Sequence, residues 1–262
     1  MALCCLVSPG GSPGVTTTAL GLALTWPRRV LLAECDPAGR RVLPGFMADR
    51  LRGPAGPGVL GLATRTPQAS GTELPLEEYV VPMDGDAELL HGVRDPRNVS
   101  QLGSLWSPLA KAFTARDGDV LADLGRVGGA ETPVALLDAA DLVVMVLKPT
   151  LAQVDAATPR LEVLRGLAPD RLALCLVPDG PYSAAEVERA LKLPVLGEPA
   201  FSPNEARVLS DGARPRMTFR TSLLMRSLES LGRRLRTAMA EPEAKQVPRP
   251  RVPVRAFGKV RR

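Results

Sequence analysis

Short apolar runs alternate along most of the chain with stretches of helical spacing. Leu3-Cys4-Cys5-Leu6-Val7, Val30-Leu31-Leu32-Ala33, Val120–Gly125, Leu142–Leu147 and Leu172–Val177 lack the polar alternation of a half-exposed strand. Continuous runs of this length predict strands covered on both faces, as in a parallel sheet. Leu142–Leu147 gives the strongest such signal. Tyr79–Pro82 and Pro194–Leu196 add two shorter strands. Between them, Thr16–Leu24, Val59–Thr64, Leu102–Ala115, Thr132–Ala139, Leu151–Gly166, Ala184–Leu191 and Thr221–Met239 read as helices. In the last of these, Leu224, Leu228, Leu231 and Leu235 line one face at i, i+4, i+7 and i+11. Strands and helices in alternation over residues 1–240 predict an α/β fold: one doubly wound, mostly parallel sheet flanked by helices. Residues 38–78 break the pattern, are rich in Gly and Pro, and read as a long surface excursion. No internal repeat is present.

Composition narrows the class. The 262 residues are 45% hydrophobic but only 3% aromatic, so Leu, Val and Ala must fill the core. No apolar run reaches the ~18–20 residues of a transmembrane helix, and Met1 leads straight into a strand with no secretory leader pattern. A cytoplasmic protein is expected. Cys4, Cys5, Cys35 and Cys175 fall in the strands or just after one, without CxxC spacing, and are expected to be buried apolar residues rather than metal ligands or disulfides. With one histidine, His91, the sequence offers no zinc or haem ligand set and excludes any mechanism needing two imidazoles.

The net charge of +5 is unevenly placed. Lys245, Arg249, Arg251, Arg255, Lys259, Arg261 and Arg262 against Glu241 and Glu243 account for all of it. The chain therefore divides into a neutral domain, 1–240, and a basic, Pro-rich tail, 241–262, expected to be disordered. Such a tail suits DNA, RNA, an anionic lipid surface or an acidic protein, or remains solvated with no partner. Phe257 is its only aromatic, which argues against base-specific readout.

The chemistry concentrates after the first strand. Ser8-Pro9-Gly10-Gly11-Ser12-Pro13-Gly14-Val15-Thr16-Thr17-Thr18 is a Gly-rich loop opening a helix. Glycines let the backbone approach an anion, and the amides and dipole of the helix N-terminus hold it. A phosphate-binding loop usually ends Gly-Lys-Ser/Thr; this one ends Gly14-Val15-Thr16. Pro13 removes one further amide donor. Glu34 and Asp36 at the end of the second strand and Asp123 near the end of the Val120–Gly125 run place carboxylates at the strand ends where open parallel sheets bind ligands.

Together these segments resemble the ParA/MinD family of deviant P-loop ATPases, over roughly residues 2–240. The family's loop, Lys-Gly-Gly-x-Gly-Lys-Thr-Thr, lies over Gly10-Gly11-Ser12-Pro13-Gly14-Val15-Thr16-Thr17. Its Asp-x-Asp-Pro is matched by Glu34-Cys35-Asp36-Pro37, and its Walker B Asp by Asp123. Ala140-Asp141-Leu142 through Lys148-Pro149-Thr150 and Leu193–Pro199 resemble two later segments. The resemblance implies the P-loop NTPase type of fold and a homodimer. It also implies ATP or ADP held by Gly10, Gly11, Ser12, Gly14, Val15, Thr16 and Thr17, with Mg²⁺ on Thr16 and Asp123. Glu34 and Asp36 are the catalytic candidates it leaves.

The departures bear on function. Both family lysines are replaced, by Gly10 and Val15, and the adenine-reading asparagine falls on Val177-Pro178. Phosphoryl transfer relies on positioning and charge stabilisation, so losing both cations should harm hydrolysis more than binding. Lys148 and Arg126 are candidates to replace the lost charge. The resemblance implies a positioning, partitioning or assembly regulator with weak or no hydrolysis, acting through dimerisation and partners. Pilus-associated TadZ/CpaE-like members also have altered loops. Alternatives are a pseudo-ATPase scaffold for a secretion, pilus or conjugation apparatus, or a nonspecific nucleic-acid-binding protein acting through its tail. For the loop itself, a tight turn without ligand and an efficient ATPase both remain open. The closing helix could pack on the sheet or lie on a membrane surface, so location extends to the nucleoid or the inner membrane face.

Overall fold

The computed structural model describes residues 1–10, 13–49, 56–65 and 74–240. Gly11, Ser12, the Gly/Pro stretch around residue 53 and the tail 241–262 lie outside the described residues.

Five buried parallel strands build the centre: β1 (Leu3–Ser8), β2 (Val30–Glu34), β5 (Asp119–Arg126), β6 (Leu142–Leu147) and β7 (Leu172–Leu176). β3 (Val81–Pro82) and β4 (Ala87–Leu90) form one edge, and β8 (Val195–Gly197) the other. The eight strands run in the order β3-β4-β2-β5-β1-β6-β7-β8, and only the β3–β4 pair is antiparallel.

Although the strand runs are continuously apolar, successive residues still face opposite ways. Leu3, Cys5, Val7, Leu31 and Leu124 pack with α2 (Gly58–Arg65), α3 (Trp106–Ala115), α4 (Val134–Ala139), α5 (Leu151–Leu167) and α6 (Ala184–Leu191). Cys4, Leu6, Leu32 and Leu121 face α1 (Val15–Leu24), α7 (Pro203–Asp211) and α8 (Leu223–Ala240). All four cysteines are buried and unbonded to one another.

Leu224, Leu228, Leu231 and Leu235 of α8 are buried on the α1 side. Each such leucine contributes about 2 kcal/mol of transfer free energy. The core thus takes the apolar face that a membrane-surface helix would need. No helix among the described residues is long and apolar enough to cross a membrane.

Several expectations are corrected. The 38–78 stretch is not all surface: Val42, Leu43 and Met47 are buried beside α1, α7 and α8, and Leu62 of α2 is buried on the opposite face. The helix expected over 102–115 is broken: Asp95 caps a 3-10 turn, Pro96–Leu102, with Pro at its start, and α3 begins only at Trp106. The strand expected over 79–82 shortens to β3, whose Val81 and Pro82 pair with Leu89 and Glu88 of β4. Neither β4 nor α7 has a counterpart in the sequence reading. β4 extends the sheet because its residues pair in parallel register with Val30–Ala33.

Candidate nucleotide site

The loop leaves β1 at the sheet's C-terminal edge. Ser8 ends the strand, and α1 begins at Val15 behind Gly14, whose φ of 105° and ψ of 29° place it in the left-handed region open to glycine. No side chain caps α1, and its first turn holds no acid. The first helical amides, those of Val15, Thr16 and Thr17, therefore lack intrahelical partners, and the helix presents its positive end at the edge. Thr18 is the first to close a turn, donating to the Gly14 carbonyl at 2.9 Å. Pro13 is buried.

Thr16 and Asp123 meet directly. The Thr16 hydroxyl donates to Asp123 Oδ2 at 2.5 Å, and the Gly125 amide donates to Oδ1 at 2.9 Å. Asp123 is 1% exposed. Burial pushes its carboxyl up to about 7, with the nearby Asp36 and Glu34 adding to the rise, while the Thr16 and Gly125 bonds oppose it. A hydroxyl and a carboxylate are hard oxygen donors of the kind that share Mg²⁺ with phosphate oxygens. Among the described residues no group of three or more His, Cys, Asp or Glu forms a metal cage, so a metal here would depend on ligand phosphates. Thr16 and Asp123 are the residues that would hold it.

Glu34 and Asp36 sit on the neighbouring strand end but take different parts. Glu34 is neither solvated nor free: its Oε1 accepts from the Arg41 and Val42 amides at 2.5 and 2.8 Å, and its Oε2 from Gly92 at 3.2 Å. Burial raises its carboxyl despite these bonds. It clamps the chain after β2 onto β4. Asp36 is half-buried and turns on itself, accepting from the Ala38 amide at 2.8 Å. Its carboxyl lies against Gly125, and burial raises it while Arg41 and Arg126 pull it down.

The two loop positions at which a lysine was expected carry no cation. Val15 is 6% exposed and packs into the α1-side core. Gly10 has its carbonyl bonded by Gln153 Nε2 at 2.9 Å, from the first turn of α5. Lys148 points its ammonium at Asp179, 2.6 Å away. Arg126 is exposed beside Gly10. Val177, just after β7, packs toward Gly14.

Gln153, Gly125 and Arg41 were not singled out from sequence. Gln153 had a partial signal, since Thr150-Leu151-Ala152-Gln153 is a capping-box pattern, and Thr150 does cap the Gln153 amide. Its side chain reaches the loop instead of closing the box. Gly125 was visible only as a glycine after an acid.

This combination of a central strand, amide-rich loop and helix N-terminus with an acid on the next strand is the P-loop NTPase type of fold. The solved structures it is similar to include a ParA family ATPase and MinD proteins. A chain of the MinC:MinD cell division protein complex of Aquifex aeolicus is 14% identical, with a TM-score of 0.71, over 95% of this chain and 98% of that one. MinD of Pyrococcus horikoshii OT3, solved with Mg-ADP, is 16% identical at a TM-score of 0.68, over 92% and 99%. The ParA family ATPase of Chlorobium tepidum TLS is 13% identical at 0.68, over 88% and 97%. The likeness is one of fold. No protein-family model matches the sequence, and no curated protein matches it either.

Proposed function

We propose that this chain is a ParA/MinD-like nucleotide-binding protein with a degraded phosphate loop. It acts as a positioning, partitioning or assembly regulator through dimerisation and partner binding, with weak or no ATP hydrolysis. The observation that carries the reading is the Thr16–Asp123 contact beneath an uncapped helix N-terminus, on a scaffold shared with proteins solved with Mg-ADP. Backbone amides and a hydroxyl are kept, so phosphates and Mg²⁺ have partners. The charge that would stabilise a transferring phosphoryl group is absent at Gly10 and Val15, so turnover suffers most. In this reading Gly10, Gly11, Ser12, Gly14, Val15, Thr16 and Thr17 cradle ATP or ADP, and two copies associate through the loop face. The tail at 241–262 tethers the dimer to DNA, anionic lipid or an acidic protein. The protein works in the cytoplasm, at the nucleoid or at the inner membrane face, on a partition, secretion or pilus machine.

A second reading, a pseudo-ATPase scaffold without ligand, is favoured by Val15 being spent on the core and by the Thr16 hydroxyl already being satisfied by Asp123. Thr16→Ala separates the two. Under the switch reading it abolishes nucleotide-dependent dimerisation measured by sedimentation, and under the scaffold reading association is the same with and without nucleotide in both proteins.

A further inference from the structure

We infer that Arg126 is the phosphate-recognising side chain of this loop, supplying from β5 the cation that the loop lacks. The inference rests on the nucleotide-binding reading above and adds the residue that selects its ligand.

The geometry begins with a bulge. Leu6 of β1 pairs with Asp123 of β5, but Ser8, two residues on, pairs with Arg126, three residues on. One extra residue on β5 is thereby absorbed. In a regular strand, residues an odd number apart face opposite sides of the sheet. The bulge reverses that for Arg126 and puts it on the side of its partner Ser8, the same side as Leu6, Asp123 and α1. Gly125 makes the turn at a φ of 58°, where a Cβ would also lie 2.2 Å from Asp36 Cγ. The Val127 amide locks the register by donating to the Ser8 carbonyl at 3.1 Å.

Arg126 is thereby delivered to the loop. Its Cδ lies 3.9 Å from the position of a Cβ built on Gly10. Two of the other cations nearby are committed. Lys148 is paired with Asp179, and Arg160 spends Nε on the Val127 carbonyl and Nη1 on the Ala156 carbonyl. Arg41, which follows β2, shares with Arg126 an electrostatic pull on the Asp36 carboxyl. The Arg126 guanidinium has no hydrogen-bond or ion-pair partner among the described residues and is exposed. Gln153 meanwhile engages the Gly10 carbonyl, an oxygen that would otherwise oppose an anion. An exposed planar fork on the Gly10 side of the loop, ahead of a helix with no side-chain cap, matches phosphate oxygens, which guanidinium binds bidentately. The ligand class is a polyphosphate.

Calorimetric titration of the full chain with Mg-ATP, Mg-ADP and Mg-pyrophosphate tests this, using wild type, Arg126→Gln, Arg126→Lys and Arg41→Gln, each checked for folding by circular dichroism. Charge-assisted hydrogen bonds of this kind are worth about 10- to 100-fold in affinity. Arg126→Gln should weaken ATP and pyrophosphate by about that factor, Arg126→Lys should recover part of it, and Arg41→Gln should change affinity by less than about 3-fold, as a screened exposed charge does. Binding of ATP without pyrophosphate would place recognition on the nucleoside and overturn the inference. So would wild-type affinity in Arg126→Gln, or equal losses in Arg126→Gln and Arg41→Gln, and both results leave nucleotide binding itself standing. A wild type that binds none of the three overturns the inference and the nucleotide reading together.

Discussion

Replacing Asp123 with asparagine should remove a pH dependence of folding that the site builds into the protein. In the fold the Asp123 carboxyl is pushed by burial from 3.8 up to about 7. A carboxyl raised on folding stabilises the protonated fold. That stabilisation is fully present below the unfolded value and is lost as pH rises through the folded one. The whole interval of roughly three pH units corresponds to about 4 kcal/mol. Between pH 8 and pH 6 the share from this group is about 1.4 kcal/mol, with the acid side more stable. Asparagine holds the position neutral at every pH. It keeps one acceptor for Thr16 or Gly125 rather than two, a local cost of about 1 kcal/mol. Urea unfolding of both proteins at pH 6, 7 and 8, without nucleotide or Mg²⁺, gives the two slopes. Glu34 and Asp36 are raised in the same direction and are coupled to Asp123, so the difference between the two slopes reports Asp123 together with its coupling to these two carboxyls. The expected result is a wild type that gains about 1.4 kcal/mol from pH 8 to pH 6 relative to Asp123→Asn. Parallel slopes would refute the reasoning and show that Asp123 is ionised in the fold throughout this range.

Two further substitutions probe the scaffold of the site. Glu34→Ala removes the acceptor of three amides and should cost about 3 kcal/mol, with faster hydrogen exchange at Arg41 and Val42; a loss under about 1 kcal/mol would mean water replaces the clamp. Gly125→Ala forces a side chain onto a φ of 58° and onto Asp36, so chemical denaturation should show a loss of about 3 kcal/mol or more. Adding Asp36→Ala should return part of it, since the two changes share one contact; strictly additive losses would contradict that contact.

The central strands were legible because a parallel sheet buried on both faces demands uninterrupted apolar runs, which β1, β2, β5, β6 and β7 have. β4 was not, because its four residues include Glu88, which points to Arg29 and Arg116 rather than into a core. α7 escaped because it opens on Ser202-Pro203 and buries only Val208 and Leu209. Residues 38–78 looked like surface because their burial is carried by scattered residues such as Val42, Leu43 and Met47, with no period to reveal it. In the site, Thr16 and Asp123 were brought together by the family resemblance, and the two do meet. Glu34 and Asp36 were readable as strand-end acids, but which of them clamps a loop and which lies against Gly125 depends on tertiary contacts. The placement of Arg126 depends on a bulge, and a one-residue change in strand register leaves no mark on hydrophobic pattern.

The most direct test of the account is calorimetric titration of the purified protein with Mg-ATP and Mg-ADP, with light scattering on the same samples. The account predicts saturable binding accompanied by a shift in mass from monomer to dimer, which would establish that amides, Thr16 and a cation from outside the loop suffice without its lysines. No heat and no change in mass at millimolar nucleotide would contradict it, and would leave a fold that has kept its architecture and lost its ligand.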